Sequence, residues 1–115
     1  MIDIKFVREF ALSFPEAYEQ EHFEIPSFRV NKKIFATIWE KENRVMVKLS
    51  PEDQSVFCAM DGKSFSPVPG GWGAKGATFV DLSLVGKEIF QDAMTTAFCG
   101  VAPKKLAAAF LPKKR

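Results

Sequence analysis

The 115 residues suffice for one hydrophobic core without disulfides or a structural metal, and 47% apolar with 26% charged residues is ordinary globular composition. A formal charge of +2 and an isoelectric point near 8.6 stop short of the balance of dedicated nucleic-acid-binding domains, which usually exceeds about 9. No apolar run approaches the roughly 18 residues that span a bilayer, and the acids in MIDIKFVREF do not suit a signal peptide, so a cytoplasmic protein with no membrane partner is expected.

The chain opens on a helix. Asp3 can cap it, and Phe6, Val7, Phe10, Ala11 and Phe14 recur at the spacing of one buried stripe over about Ile4–Ser13. Pro15 ends it. Ala17–Phe23 alternates weakly and reads as a short edge strand, which Pro26 breaks from the next strand. The stretch from Pro26 to Ser50, PSFRVNKKIFATIWEKENRVMVKLS, then organises a sheet. Ser27–Val30, Ile34–Trp39 and Arg44–Leu49 are rich in β-branched and aromatic residues. Asn31-Lys32-Lys33 and Glu40-Lys41-Glu42-Asn43 are polar turns between them, so the stretch predicts an antiparallel meander. In the third strand Val45, Val47 and Leu49 alternate with Arg44, Met46 and Lys48, giving an apolar face and a mostly charged one. The second strand is apolar on both parities, as suits a central position.

Ser50-Pro51-Glu52-Asp53 starts a second helix with a serine cap, a first-turn proline and two acids at the positive end of the dipole. Val56, Phe57 and Met60 supply its apolar side, and Gly62 fits the left-handed position after its last turn. Two prolines and four glycines over 67–76 exclude regular structure and predict a long shaped loop around Trp72. Thr78–Ser83 reads as a fourth strand. Lys87–Cys99 reads as a helix with Ile89, Phe90, Ala93, Met94, Ala97 and Phe98 on its stripe and Gly100 closing it. After Pro103 a last helix, Lys104–Leu111, leads to the basic Lys113-Lys114-Arg115 end. These elements make one α+β domain over 1–115, an antiparallel sheet of the meander plus one or two more strands packed by about four helices.

Catalytic chemistry finds little support. His22 is the only imidazole, and no nucleophile elbow, Cys–His signature or His-Glu-x-x-His is present. The glycines of 70–76 match neither the dinucleotide fingerprint nor the phosphate loop. Cys58 and Cys99 read as reduced core thiols, since a structural zinc needs about four ligands. The N-terminal acids match no calcium loop. No enzyme activity, cofactor or metal is expected.

Charge is segregated along the chain. Residues 1–28 are net −4, 29–48 net +4, 49–100 net −3 and 101–115 net +5. Basic charge thus gathers on the meander and the C-terminal segment. If they adjoin, they form one positive patch suited to phosphates; otherwise the lysines serve solubility and discourage edge pairing. Trp72 is either pinned on the core or presented, with Lys75, to stack on a ligand. Trp39 reads as a core cap.

Phe14-Pro15-Glu16-Ala17, Phe28-Arg29-Val30-Asn31-Lys32-Lys33-Ile34-Phe35-Ala36 and Val47-Lys48-Leu49 resemble the MmcQ/YjbR family of small bacterial proteins. The resemblance extends through 69–78 (PGGWGAKGAT), Val80-Asp81-Leu82 and 101–106 (VAPKKL), nearly the whole chain. It implies a CyaY-like α+β fold, and the family is described as DNA-binding through a double-wing arrangement of β-hairpins. Here Lys32 stands where the family commonly has glycine in the first hairpin turn. A two-residue type I′ turn would hold Lys32 at positive φ at a cost of about 1 kcal/mol, so either the turn differs or a charge at the tip is worth that cost.

The sequence therefore predicts a monomeric, non-enzymatic DNA-binding domain. Arg29, Lys32, Lys33, Lys41, Arg44, Lys48, Lys75, Lys104 and Lys105 would contact phosphates, with Trp72 stacking. The alternatives, in descending order, are a small-molecule or protein-interaction module centred on the Trp72 loop, an enzyme, and a frataxin-like metal role.

Overall fold

The computed structural model describes residues 2–110. Helix α1 (Ile4–Leu12) begins where Asp3 accepts the Phe6 N–H at 2.8 Å, as its capping position requires. Six antiparallel strands succeed it: β1 (Tyr18–His22), β2 (Ile25–Val30), β3 (Lys33–Trp39), β4 (Arg44–Lys48), β5 (Phe65–Pro67) and β6 (Ala77–Asp81). They form one sheet in the order β1-β2-β3-β4-β6-β5. Helix α2 (Pro51–Met60) lies between β4 and β5, and the one-turn α3 (Gly71–Ala74) lies between β5 and β6. Helix α4 (Lys87–Val101) and the short α5 (Lys104–Ala107) close the described chain.

Helix α4 packs across β3 and β4 and makes one face of the sheet the core. Ala36, Ile38, Val45, Val47 and Val80 point into that core, as cross-strand pairing and alternation require. The phenylalanine-rich composition is absorbed here. Phe14 stacks on Phe98 at 4.5 Å between ring centroids, and Phe35 meets both edge-on. Thr37, Trp39, Met46 and Phe79 point to the opposite face, which α4 does not cover. There Met46, Val68, Ala77 and Phe79 form a second, smaller cluster flanked by Ile34 and Trp39. Trp39 belongs to this cluster, edge-on to Phe79 at 5.3 Å.

Several local expectations require correction. Residues 65–76 are not irregular throughout. They supply β5 and α3, and two of their four glycines serve close packing: a Cβ on Gly73 would overlap the Val68 carbonyl, and one on Gly76 (φ 115°) would overlap the Leu49 carbonyl. The Gln54 side-chain amide donates to the Gly73 and Ala77 carbonyls at 2.9 and 3.0 Å, fastening this segment to α2. Gly62 does not occupy the left-handed region. Helix α2 stops at Asp61, whose carboxylate accepts the Ser64 N–H. Val56 and Met60 are exposed because α2 lies along the β5 edge and buries only Phe57, against Phe65.

Gly100 does not close α4, which runs one residue further. Pro103 forces Ala102 into extended backbone (ψ 151°) and ends the helix there. Pro26 lies inside β2 rather than breaking it. Across the two-residue β1–β2 turn its backbone nitrogen faces away from β1, and β2–β3 pairing starts only at Ser27, so no ladder bond is lost. Helix α5 ends at Ala107, and the predicted helix end at Leu111 and the Lys113-Lys114-Arg115 end lie outside the described residues.

Candidate nucleic-acid interface

Two backbone features create the site. The first is the β2–β3 turn. Val30 pairs with Lys33, and the two residues between them, Asn31 and Lys32, have φ of 53° and 68°, the signature of a type I′ turn. The turn that would strain Lys32 is therefore the one that forms, and it projects Lys32 from the hairpin tip. The second is a bulge. Pairing runs Phe28 with Ala36 but Arg29 with Ile34, so Phe35 is the extra residue on β3. The bulge turns Phe35 into the core beside Ala36 and puts Ile34 on the uncovered face, against the parity that simple alternation gives; there it joins Arg29, which alternates with the core residues Phe28 and Val30 of β2.

These features shape a cleft of 360 Å3. Met46 and Ile34 form its floor, Val101 at the end of α4 closes one side, and Trp72 from α3 forms a wall. Arg29, Lys32, Lys33 and Lys48 supply its charge. Trp72 is 40% exposed, neither sunk in the core nor free of it. None of the three lysines is ion-paired; among the described residues the salt bridge present is Arg8–Glu19, at 2.9 Å, which ties α1 to β1. Arg29 is held in orientation: its Nε donates to Ser27 Oγ at 3.1 Å, and an Nη lies 3.5 Å from His22 Nδ1. Ser27 Oγ donates in turn to the Gln20 carbonyl across the β1–β2 pair. The lining carries four cations and no carboxylate.

The structure brings together five of the ten residues marked in the sequence and separates the other five. Lys41 sits in the 3₁₀ turn Glu40–Glu42, flanked by two acids, at the far end of β3, roughly 20 Å from Lys32 along the strand. Arg44 is a packed side chain. Its guanidinium carbon lies 3.6 Å from the Phe79 ring centroid and 5.6 Å from that of Trp39, and its buried Nε has no hydrogen-bond partner. Lys75 caps α3 and is exposed beside the cleft without lining it. Lys104 and Lys105 are exposed on the first turn of α5, just past Val101. Sequence reasoning passed over the apolar lining of Ile34, Met46 and Val101. Met46 was legible as a residue of the non-core parity of β4, whereas Ile34 was hidden by the bulge.

Among the described residues no three His, Cys, Asp or Glu side chains gather to hold a metal ion, and no helix is long and apolar enough to cross a membrane. Burial raises the Cys58 and Cys99 thiols above the usual cysteine range, and both cysteines are free.

Compared with known proteins, the chain matches the YjbR family model over residues 12–99, well over half its length. Among solved structures it is similar to Deinococcus radiodurans protein DR2400, domain DUF419. The TM-score is 0.75 at 18% identity, covering 95% of this chain and 85% of that one, a likeness of fold. No curated protein matches it.

Proposed function

This chain belongs to the YjbR family, and within it we propose that the protein is a non-enzymatic nucleic-acid-binding domain that holds single-stranded DNA across the Trp72 cleft. The observation that carries this reading is the convergence of Arg29, Lys32, Lys33 and Lys48 around one half-exposed tryptophan, with no acid in the lining. Cations alone would suit any phosphate backbone. An indole beside them adds a stacking plane that an unpaired base can reach and a paired base cannot. Within the β1–β4 meander the basic wings implied by the resemblance reduce to one, since its other two turns carry Phe23-Glu24 and Glu40-Lys41-Glu42, while the β5–β6 connection brings Trp72 and Lys75. This also favours a single strand over a duplex gripped between two tips.

A second reading has one observation in its favour. The 360 Å3 volume lies within the small-ligand range of roughly 300–1,000 Å3, so a mononucleotide would use the same cations and the same ring.

Amide chemical-shift titration with a short oligo-dT strand, its duplex and a mononucleotide tests both. The expected result is shifts at Arg29, Lys32, Lys33, Lys48 and Trp72, tightest for the single strand and weakened by salt. Trp72→Ala should remove the preference for the single strand, and Lys32→Glu with Lys33→Glu should remove binding. Equal affinity for mononucleotide and strand would move the assignment to the second reading. No shifts at low salt would refute both.

A further inference from the structure

A separate cleft opens at the other end of the sheet, between the Phe23-Glu24 turn and the 3₁₀ turn Glu40–Glu42. It is an open cleft of 610 Å3, with Phe23, Ile25, Pro26 and Trp39 along it and the buried Ile38 beneath. Its charged lining is Glu24, Glu40 and Glu42 against a single cation, Lys41, the reverse of the Trp72 cleft. None of the three carboxylates takes part in an ion pair among the described residues.

Phe23 is the conspicuous residue. It is 88% exposed and sits at φ 51° at the tip of the β1–β2 turn, where glycine or asparagine is the favoured occupant. Its ring makes an edge contact with His22 at 4.5 Å and has no place in the core. Folding alone gives no reason for a phenyl ring there. Nucleic-acid binding gives none either, since three carboxylates line the same cleft.

We propose that this cleft binds a small organic cation, an apolar or aromatic body bearing one ammonium group. The volume suits a small molecule. The body would lie against Ile25 and Pro26 beside Phe23 and Trp39, and the exposed Phe23 ring also attracts a positive charge through its face. Glu24, Glu40 and Glu42 favour the ammonium and repel an anion. A neutral molecule of the same shape gains the walls without the charge, and an anionic one is excluded, so the two clefts select ligands of opposite sign.

Amide shift titrations with 2-phenylethylamine and its neutral counterpart 2-phenylethanol test this. The amine should move residues 23–25 and 39–42 saturably and bind about tenfold tighter than the alcohol. Glu40→Gln with Glu42→Gln should bring the amine close to the affinity of the alcohol and leave the alcohol unchanged. Phe23→Asn, which suits the left-handed backbone and removes the ring, should weaken the amine about tenfold with no loss of thermal stability. Equal affinities for amine and alcohol, shifts confined to the Trp72 cleft, no shifts at all, or undiminished binding by Phe23→Asn would each overturn the proposal.

Discussion

Replacing Lys32 by glycine should make this protein more stable and a weaker binder at once. Lys32 sits at φ 68° in a two-residue turn. The left-handed conformation costs an L-residue roughly 1–2 kcal/mol. Glycine avoids that strain but gives back roughly 0.4–1 kcal/mol through the freedom of the unfolded chain. The net gain is about 0.5–1 kcal/mol, which for a domain of this size raises Tm by about 2–4 °C. Lys33→Gly is the control. It removes the same charge from the neighbouring position, but Lys33 is a β3 residue outside the left-handed region, so glycine there costs about 0.5–1 kcal/mol. Calorimetry on the two variants should therefore move Tm in opposite directions, while titration with oligo-dT weakens in both. A fall in Tm for Lys32→Gly, or equal shifts for the pair, would refute the reasoning.

Gly73→Ala should destabilise the fold by about 2–3 kcal/mol in urea denaturation, because its Cβ meets the Val68 carbonyl, whereas Gly71→Ala, with open space around it, should stay within about 0.5 kcal/mol of the parent. Arg44→Met should leave oligonucleotide affinity unchanged and stability within about 1 kcal/mol, since it removes a cation outside the cleft together with an orphaned donor; Arg29→Met should weaken binding. Cys58 and Cys99 should react with iodoacetamide more slowly than free cysteine at pH 8. Burial raises their pKa and so lowers the thiolate fraction, and denaturant should abolish the difference.

The helical stripes and the meander were legible because each obeys a single period. Val7, Ala11 and Phe14, and Phe90, Met94 and Phe98, fell where a 3.6-residue repeat places them. What stayed hidden depends on partners distant in the sequence. The bulge at Phe35 reverses the face of Ile34 through pairing with β2, and nothing local to Ile34-Phe35 announces it. Gly73 and Gly76 looked like freedom and turned out to be close contacts with Val68 and Leu49. Of the candidate cations, charge and exposure were readable, but the grouping was not. Lys33 and Lys41 are equally plausible on composition, and β3 carries them to opposite ends.

That separation fixes how much salt should matter. Counterion release from a single strand gives a slope of about −0.7 in log K against log salt for each phosphate neutralised. The four cations of the Trp72 cleft predict a slope of about −3. All nine cations marked in the sequence would predict about −6. The acidic connections at Glu24 and at Glu40–Glu42 repel a strand that tries to run the length of the sheet, so a bound strand should cross the basic end only. Oligo-dT affinities measured between about 50 and 200 mM salt distinguish the cases. A slope near about −5 would mean that Lys75 and the two α5 lysines join the four cleft cations in the footprint, and the cleft would then be one part of a larger surface. A slope near zero would mean that binding is not ionic at all, and the role given to Arg29, Lys32, Lys33 and Lys48 would be wrong.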